Sequence, residues 1–446
     1  MITGKLKLLD EFCLFEFDQF ILKIFIVNPS LNLYSKPDLN FEILTGNIFN
    51  NQHKYIIFDN CNIVEWTPNI LTFNVISYYI SDDELVTFDK ISFFSDELDW
   101  FFNIRQGLTT ECCENEEEIK LVLKSQTIGK NHYNININDK NVEVSFGINK
   151  QINLLTNSPV ILSSSLSLIF QETQKNDKTI EYYYLIYYML CFITYRRNVN
   201  INGCELSVRL KNGKYRQIGY FHTKLNADKY SEDIKYKRDR IITIDLLQNS
   251  FSQLIELLYS YKLYTQHIPF NSRDYLTITP SRFVLVTAAF EWTFSLVYGA
   301  DYNISDSNRI KEEILRFVEE LINKNTGKLK KRAKTFKRLI ENTRSSLSDK
   351  IEYALNDHIK EIKVFIDQIY SLNHKVASFD EIAERIQTHR NNFAHGNIDQ
   401  LIDPDVILDH SILEYLVYAL ILRKIGMNEN DIKKSINKLF GKRIAF

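Results

Sequence analysis

The hydrophobic period changes once along this chain. Up to about residue 170, apolar residues alternate with polar ones or gather in short runs, with Asn, Asp and Pro between them. From Thr279-Pro280 onward they recur every three or four positions. Period 2 places one side-chain set on one face of a strand, and period 3.6 draws a stripe along a helix. One uniform layer cannot satisfy both, so the expected class is α+β and multidomain. We read residues 1–170 as a β-rich, sandwich-like N-terminal domain, 171–275 as a mixed bridging region and 276–446 as an all-α helical bundle.

The strand segments are KLKLLDEFCLFEF, FILKIFIV, FEILTGNIF, KYIIFDNCNIVEW and ILTFNVISYYI, then EIKLVLKSQ, YNININ, VEVSFGI, INLL and VILSSSLSLIFQE. Asn138-Asp139-Lys140-Asn141 between two of them signals a hairpin. SDELDWFF breaks the pattern: Ser95 can cap a short helix that turns Leu98, Trp100 and Phe101 inward. The bridging region opens with a helix over 178–198. A hairpin around Asn212-Gly213 and a helix over 241–264 follow. In the last part, Thr279 caps a helix with Pro280 in its first turn and Gly299 at its end. Further helices are expected over about 306–325 and 348–372. Ser378-Phe379-Asp380-Glu381 reads as a capping box, Pro404 starts another helix, and a short one follows Asn428.

Composition excludes several classes. The chain has 446 residues and a net charge of −2, so any nucleic-acid surface must be local. None of the six cysteines, Cys13, Cys61, Cys112, Cys113, Cys191 and Cys204, forms a C-x-x-C pair, and no His/Cys cluster has zinc spacing. No metal and no cofactor is expected. The N-terminus lacks a signal-peptide core, and the greasiest run, 182–195, is too short to span a bilayer. The expectation is a cytoplasmic protein with no membrane association. No glycine-rich phosphate loop and no G-x-S-x-G is present.

The chemistry gathers at Arg390-Asn391-Asn392-Phe393-Ala394-His395, ahead of Gly396. On an ideal helix Asn391 and His395 share a face, so the Asn391 amide can hold the imidazole in one tautomer. Arg390 lies about 140° from His395 at 3.6 residues per turn and must reach round. RNA cleavage needs a base for the 2′-hydroxyl, an acid for the leaving 5′-oxygen and a cation for the phosphorane. Histidine titrates in the right range, and arginine matches phosphate geometry. One copy supplies one imidazole, so the sequence points to a composite site across a dimer. Arg-x4-His arises roughly 0.4 times by chance at this composition, and roughly 0.03–0.04 times once Asn must follow the Arg.

Arg390-Asn391-x3-His395 in a C-terminal helical domain resembles the signature of the HEPN ribonucleases, Arg-x4–6-His with a polar residue after the Arg. GKLKLLDEF, ILTGNIF and ISFFSDELDWFF in the strand-rich region resemble the N-terminal domain of ApeA-type abortive-infection proteins, which carry a C-terminal HEPN domain. The resemblance implies a homodimer through the C-terminal helical domain and metal-independent cleavage leaving a 2′,3′-cyclic phosphate. It also implies an anti-phage role with a phage-derived trigger, and RNA, tRNA among the candidates, as substrate. By position it makes Arg390 and His395 the catalytic pair and Asn391 their polar accessory. Many HEPN domains add an acidic residue from another helix, and Glu291 is the candidate here.

Other features weigh less. KNTGKLKKRAKTFKR, 324–338, holds eight cations and no acid, and Lys330, Lys331, Arg332, Lys334, Lys337 and Arg338 would track an RNA backbone or simply face water. Arg216 and His222 repeat the Arg/His theme in a strand-like hairpin and read as structural. The tyrosines at 182–184 and 187–188 read as core, and the acidic run 111–118 as a solvated connector. The alternative function is a non-catalytic HEPN-like nucleotide-binding or dimerisation module attached to a ligand-sensing β domain.

Overall fold

The computed structural model describes residues 1–26, 41–49, 54–84, 86–112, 119–123, 132–152, 160–224, 230–300, 302, 304–342, 345–396 and 403–446. Cys113, residues 113–118 of the acidic run and the end of the INLL segment lie outside them. Two compact units are present. One comprises Met1–Thr194 with Asn198–Tyr259, the other Tyr195–Arg197 with Ser260–Phe446. The stretch read as a bridge is divided between them and forms no third unit.

The first unit is built on six antiparallel strands: β1 (Ile2–Leu8), β2 (Glu11–Asp18), β3 (Ile21–Phe25), β4 (Phe41–Ile48), β5 (Tyr55–Trp66) and β6 (Ile70–Ser81). They pair in the order β6-β3-β2-β1-β4-β5, and β5 pairs again with β6, which closes a barrel. Alternate residues point inward, as Leu6, Leu8, Phe15, Phe17, Phe58 and Phe73 show. Each such burial stabilises by roughly 1.5–3 kcal/mol. The Phe15 ring fills the space beside Gly46, where a Cβ would lie 2.6 Å from it.

KLKLLDEFCLFEF is two strands. The turn between β1 and β2 is Leu9-Asp10, and that between β2 and β3 is Gln19-Phe20, all four at positive φ. Such two-residue turns favour Asn and Gly, and their absence hides both hairpins in the sequence. Asn138-Asp139, also at positive φ, does carry the signal and forms its hairpin.

The remaining strands continue the same sheet: β7 (Thr87–Phe94), β10 (His132–Ile137), β11 (Lys140–Ile152), β12 (Val160–Lys175), β13 (Gly203–Arg209) and β14 (Tyr215–Thr223), with β8 (Leu108–Cys112) and β9 (Ile119–Leu123) pairing apart. β6 is the junction. Residues 70–74 pair with β3 to close the barrel, and 77–81 pair on the same side with β14 to start the extension. The β-rich part is therefore one sheet, closed at one end, where two stacked sheets were the expectation. The hairpin β13–β14 inserts between β7 and β6.

α1 (Asp96–Phe101) is capped by Ser95 and buries Leu98 and Phe101, while Trp100 stays half-exposed. α2 (Thr179–Thr194) buries Tyr182 and Tyr183. The expected helix over 241–264 is broken: α3 (Ile234–Asp239) precedes it, and α4 (Ile244–Leu247) and α5 (Phe251–Tyr259) flank Gln248 at φ 41°.

The second unit is helical: α6 (Ser272–Tyr275), α7 (Pro280–Tyr298), α8 (Ser305–Lys324), α9 (Gly327–Glu341), α10 (Leu347–Asp357), α11 (Ile359–Leu372), α12 (Phe379–Ala394), α13 (Pro404–Lys424) and α14 (Glu429–Phe440). Thr279 caps α7 as expected, accepting from the Arg282 N–H at 3.2 Å. The helix expected over 348–372 divides at His358, which is fully buried with φ −100° and ψ 18°. A capping box forms at Ser346/Asp349 on α10. At α12 it does not form, because the Ser378 hydroxyl donates to the Asp380 carboxylate. α13 is buried on every side over residues 412–422 and packs against α7, α11, α12 and α14. Among the described residues, no helix is long and apolar enough to cross a membrane.

Candidate functional site

α12 is held by its inward face. Ile382, Ala383, Ile386 and Phe393 are buried at helical spacing. Between them Arg385 donates from Nε to Asp409 Oδ2 at 2.7 Å and from Nη2 to the Tyr370 hydroxyl at 2.7 Å. Tyr370 in turn donates to Asp409 Oδ1 at 2.5 Å. Asp409 is fully buried and raises the pKa of Arg385, so the guanidinium stays charged. Removing one partner from such a buried pair costs about 3–5 kcal/mol. This cluster ties α12 to α11 and α13 one turn before the functional residues.

Beyond that anchor, His389 Nδ1 lies 3.1 Å from the Arg385 carbonyl, and its ring faces Phe283 and Phe393. Arg390 and Asn391 follow on the last turn. The Arg390 Nη1 donates to Asn391 Oδ1 at 3.3 Å, and its Nη2 lies 3.7 Å from Glu291 Oε2 on α7. Arg390 and Glu291 are each 37% exposed, so a ligand in solution can reach the pair. Glu291, chosen from sequence as the acidic residue of another helix, thus lies beside Arg390.

His395 stands at the end of the helix. Its N–H still donates to the Asn391 carbonyl at 3.0 Å, but its ψ of 9° has left the helical range. Gly396 follows at φ 84° and donates to the Phe393 carbonyl. The imidazole is exposed and makes no hydrogen bond among the described residues. The bond expected between the Asn391 amide and the His395 ring is not formed. Asn391 Oδ1 is engaged by Arg390 instead, and the backbone unwinds where the ideal stacking was to operate.

The basic residues occupy another element. Lys330, Lys331, Arg332, Lys334, Lys337 and Arg338 all lie on α9. Lys337 is engaged with Glu319 of α8 at 2.6 Å and with Glu341 at 3.6 Å, and none of the other five forms an ion pair among the described residues. Among the described residues, no hydrogen bond or ion pair joins this segment to α12. Arg216 and His222 both sit in β14, with the His222 ring stacked on Tyr78 at 4.7 Å and its pKa lowered by burial. That places them in the framework, as expected.

Sequence reading missed the buried polar cluster of the second unit. Arg282 Nη2 and the Tyr195 hydroxyl both donate to Glu414 Oε1 at 2.5 Å. Burial pushes His267 down to about 4, and takes His410 well below its usual range. The available signal was Asp409, His410 and Glu414 inside the apolar run of α13, since an ionisable group there must find a partner. Among the described residues no group of three His, Cys, Asp or Glu is gathered that could hold a metal ion. Cys13, Cys61, Cys191 and Cys204 are buried and unbridged.

No protein-family model, no curated protein and no solved structure matches this chain.

Proposed function

We propose that the helical unit is a metal-independent endoribonuclease of HEPN type, working as a homodimer in anti-phage abortive infection, with the β-rich unit as its sensor. The observation that carries this reading is the cluster at the end of α12. Arg390, Asn391 and Glu291 converge, and an exposed His395 follows within one and a half turns. In the proposed reaction a neutral His395 imidazole takes the 2′-hydroxyl proton as the 2′-oxygen attacks phosphorus. The bond to the 5′-oxygen breaks, and the imidazolium of the second copy protonates that leaving group. A 2′,3′-cyclic phosphate and a 5′-hydroxyl result. Arg390 exchanges Glu291 for the phosphorane oxygens, a charge-assisted and bidentate contact. Lys330, Lys331, Lys334 and Arg338 of α9 hold the RNA backbone, with tRNA a natural substrate to try.

The test is cleavage of several RNAs, tRNA included, by the purified protein in EDTA. His395→Ala and Arg390→Ala should each lower the rate by at least about a hundredfold with unchanged circular dichroism. Equal cleavage by wild type and both variants, or none by wild type on any RNA, overturns the reading. One observation favours the non-catalytic alternative: Arg390 already has two protein partners. A module of that kind would bind nucleotide without cutting it, and the same assay separates the two. A cavity of about 350 Å³ in the β-rich unit, lined by Asn138, Lys140, Phe170, Glu172, Lys178 and Tyr182, is where a sensed ligand would fit.

A further inference from the structure

α8 and α9 form a hairpin that packs chiefly on itself. Leu315, Val318 and Ile322 of α8 are half-buried, as is Ile340 of α9, where Ala333 is the one buried residue. Lys337 bonds Glu319 at 2.6 Å, and Lys311 bonds the Glu341 carbonyl at 2.7 Å, across the antiparallel seam. A second apolar set is exposed. Ile310, Ile314, Phe317 and Leu321 on α8 are 44–62% exposed, and so are Leu329, Phe336 and Leu339 on α9. The α8 residues are spaced four, three and four apart. Leu329, Arg332, Phe336 and Leu339 keep the same heptad, with Arg332 at one inner position. These are exposed coiled-coil seams.

The two seams share one flank of the hairpin. At 3.6 residues per turn, each lies about 100° from its own buried face, in the same rotational sense. Because the helices run antiparallel, equal rotations bring both stripes to the same side. Seven half-exposed apolar side chains offer on the order of 700 Å² there, near the roughly 800 Å² per partner of a standard stable interface. A two-helix hairpin with its apolar face in water is a marginal structure, and coverage would stabilise it.

We infer that this flank is the surface on which the α8–α9 hairpin of a second copy of the chain packs, completing an antiparallel four-helix bundle. Charge selects that occupant. Glu320 edges the α8 stripe, where it also bonds Lys324 at 3.0 Å, and Arg332 stands within the α9 stripe. A two-fold axis along the helices keeps the register that sets Lys337 beside Glu319, so Glu320 of one copy comes within about one turn of Arg332 of the other, twice over. An RNA backbone has no use for the seven apolar side chains, and the outward Lys334 stays open to it. The inference specifies the docking surface of the two-copy arrangement proposed above, yet it rests on the hairpin and not on the chemistry of His395.

The experiment is analytical ultracentrifugation of the full chain from about 1 to 50 μM, where an interface of standard size associates. Wild type should be a dimer. Phe317→Asp with Phe336→Asp should be a monomer with unchanged circular dichroism. Glu320→Lys should weaken the dimer at least tenfold, and adding Arg332→Glu should restore it. A wild-type monomer throughout overturns the inference, as does a dimer that survives the double Asp variant. Monomers that float with phosphatidylserine vesicles, or associate only when RNA is added, overturn it too. His395→Ala separates the two proposals: lost cleavage with an intact dimer leaves both standing, and an intact dimer with His395-independent cleavage overturns the nuclease reading alone.

Discussion

Arg390 is the residue on which the proposed site turns, and its present partners define its resting state. A guanidinium held at 3.7 Å by an exposed carboxylate gains little net stability, so Glu291 positions Arg390 at small cost and gives way to phosphate. Glu291→Gln should therefore lower kcat about tenfold through lost orientation, with KM for RNA unchanged or lower because a competing anion is gone. Steady-state kinetics on one RNA checks this. A rise in KM with kcat intact would instead make Glu291 a substrate contact. His395 has the opposite character. No partner among the described residues fixes its ring, so its orientation is completed by whatever binds.

At the scale of elements, α12 ends where the chemistry begins. Its inward face is locked by Phe393 and by Arg385 on Asp409, while its last turn is released by Gly396 in the left-handed region at φ 84°. Gly396→Ala puts a side chain where open space would accept it but the backbone would not. The expected cost is about 1–2 kcal/mol, read as a lower urea midpoint, together with reduced cleavage as His395 is redirected. Unchanged stability and unchanged cleavage would show that the helix end does not position the imidazole. The α8–α9 hairpin is the contrasting element: its sequence is as amphipathic as that of α12, but one of its apolar stripes stays half-exposed.

The whole molecule holds two cores, and acid acts on them with opposite signs. In the helical unit burial lowers His267 and His358 to about 4 and takes His410 well below its usual range. A histidine depressed in the folded state contributes stability above its unfolded pKa near 6.5, and that stability is lost as pH falls toward 4. Each of the first two should withdraw about 2 kcal/mol between pH 7 and 5. In the β-rich unit burial raises Asp99 to about 6. That group favours folding at low pH and loses its contribution as pH rises from 4 to 6, which opposes the burial-lowered His222. Thermal unfolding at pH 7 and 5 should show the helical transition falling by several degrees more than the β transition. His267→Gln should shrink that difference. Equal shifts in both transitions would contradict the assignment.

The sequence by itself determined the period switch, the capped start of α7 at Thr279-Pro280, the hairpins at Asn138-Asp139 and Asn212-Gly213, and the spacing of Arg390, Asn391 and His395. Each is written in a window of a few residues, because turn chemistry, capping and helical periodicity are local properties of the backbone. Only the tertiary structure decided the rest. It split the β1–β2 run at Leu9-Asp10, whose side chains do not announce a turn. It closed the barrel through β6, whose two halves take different partners on one side. It broke the helix at His358, brought Glu291 to Arg390, and drew Asn391 away from His395. Amphipathic spacing says that a face seeks cover, and at α8 and α9 it cannot say that one stripe is left exposed. Edge pairing and coverage depend on residues far apart in sequence, and no local window contains them.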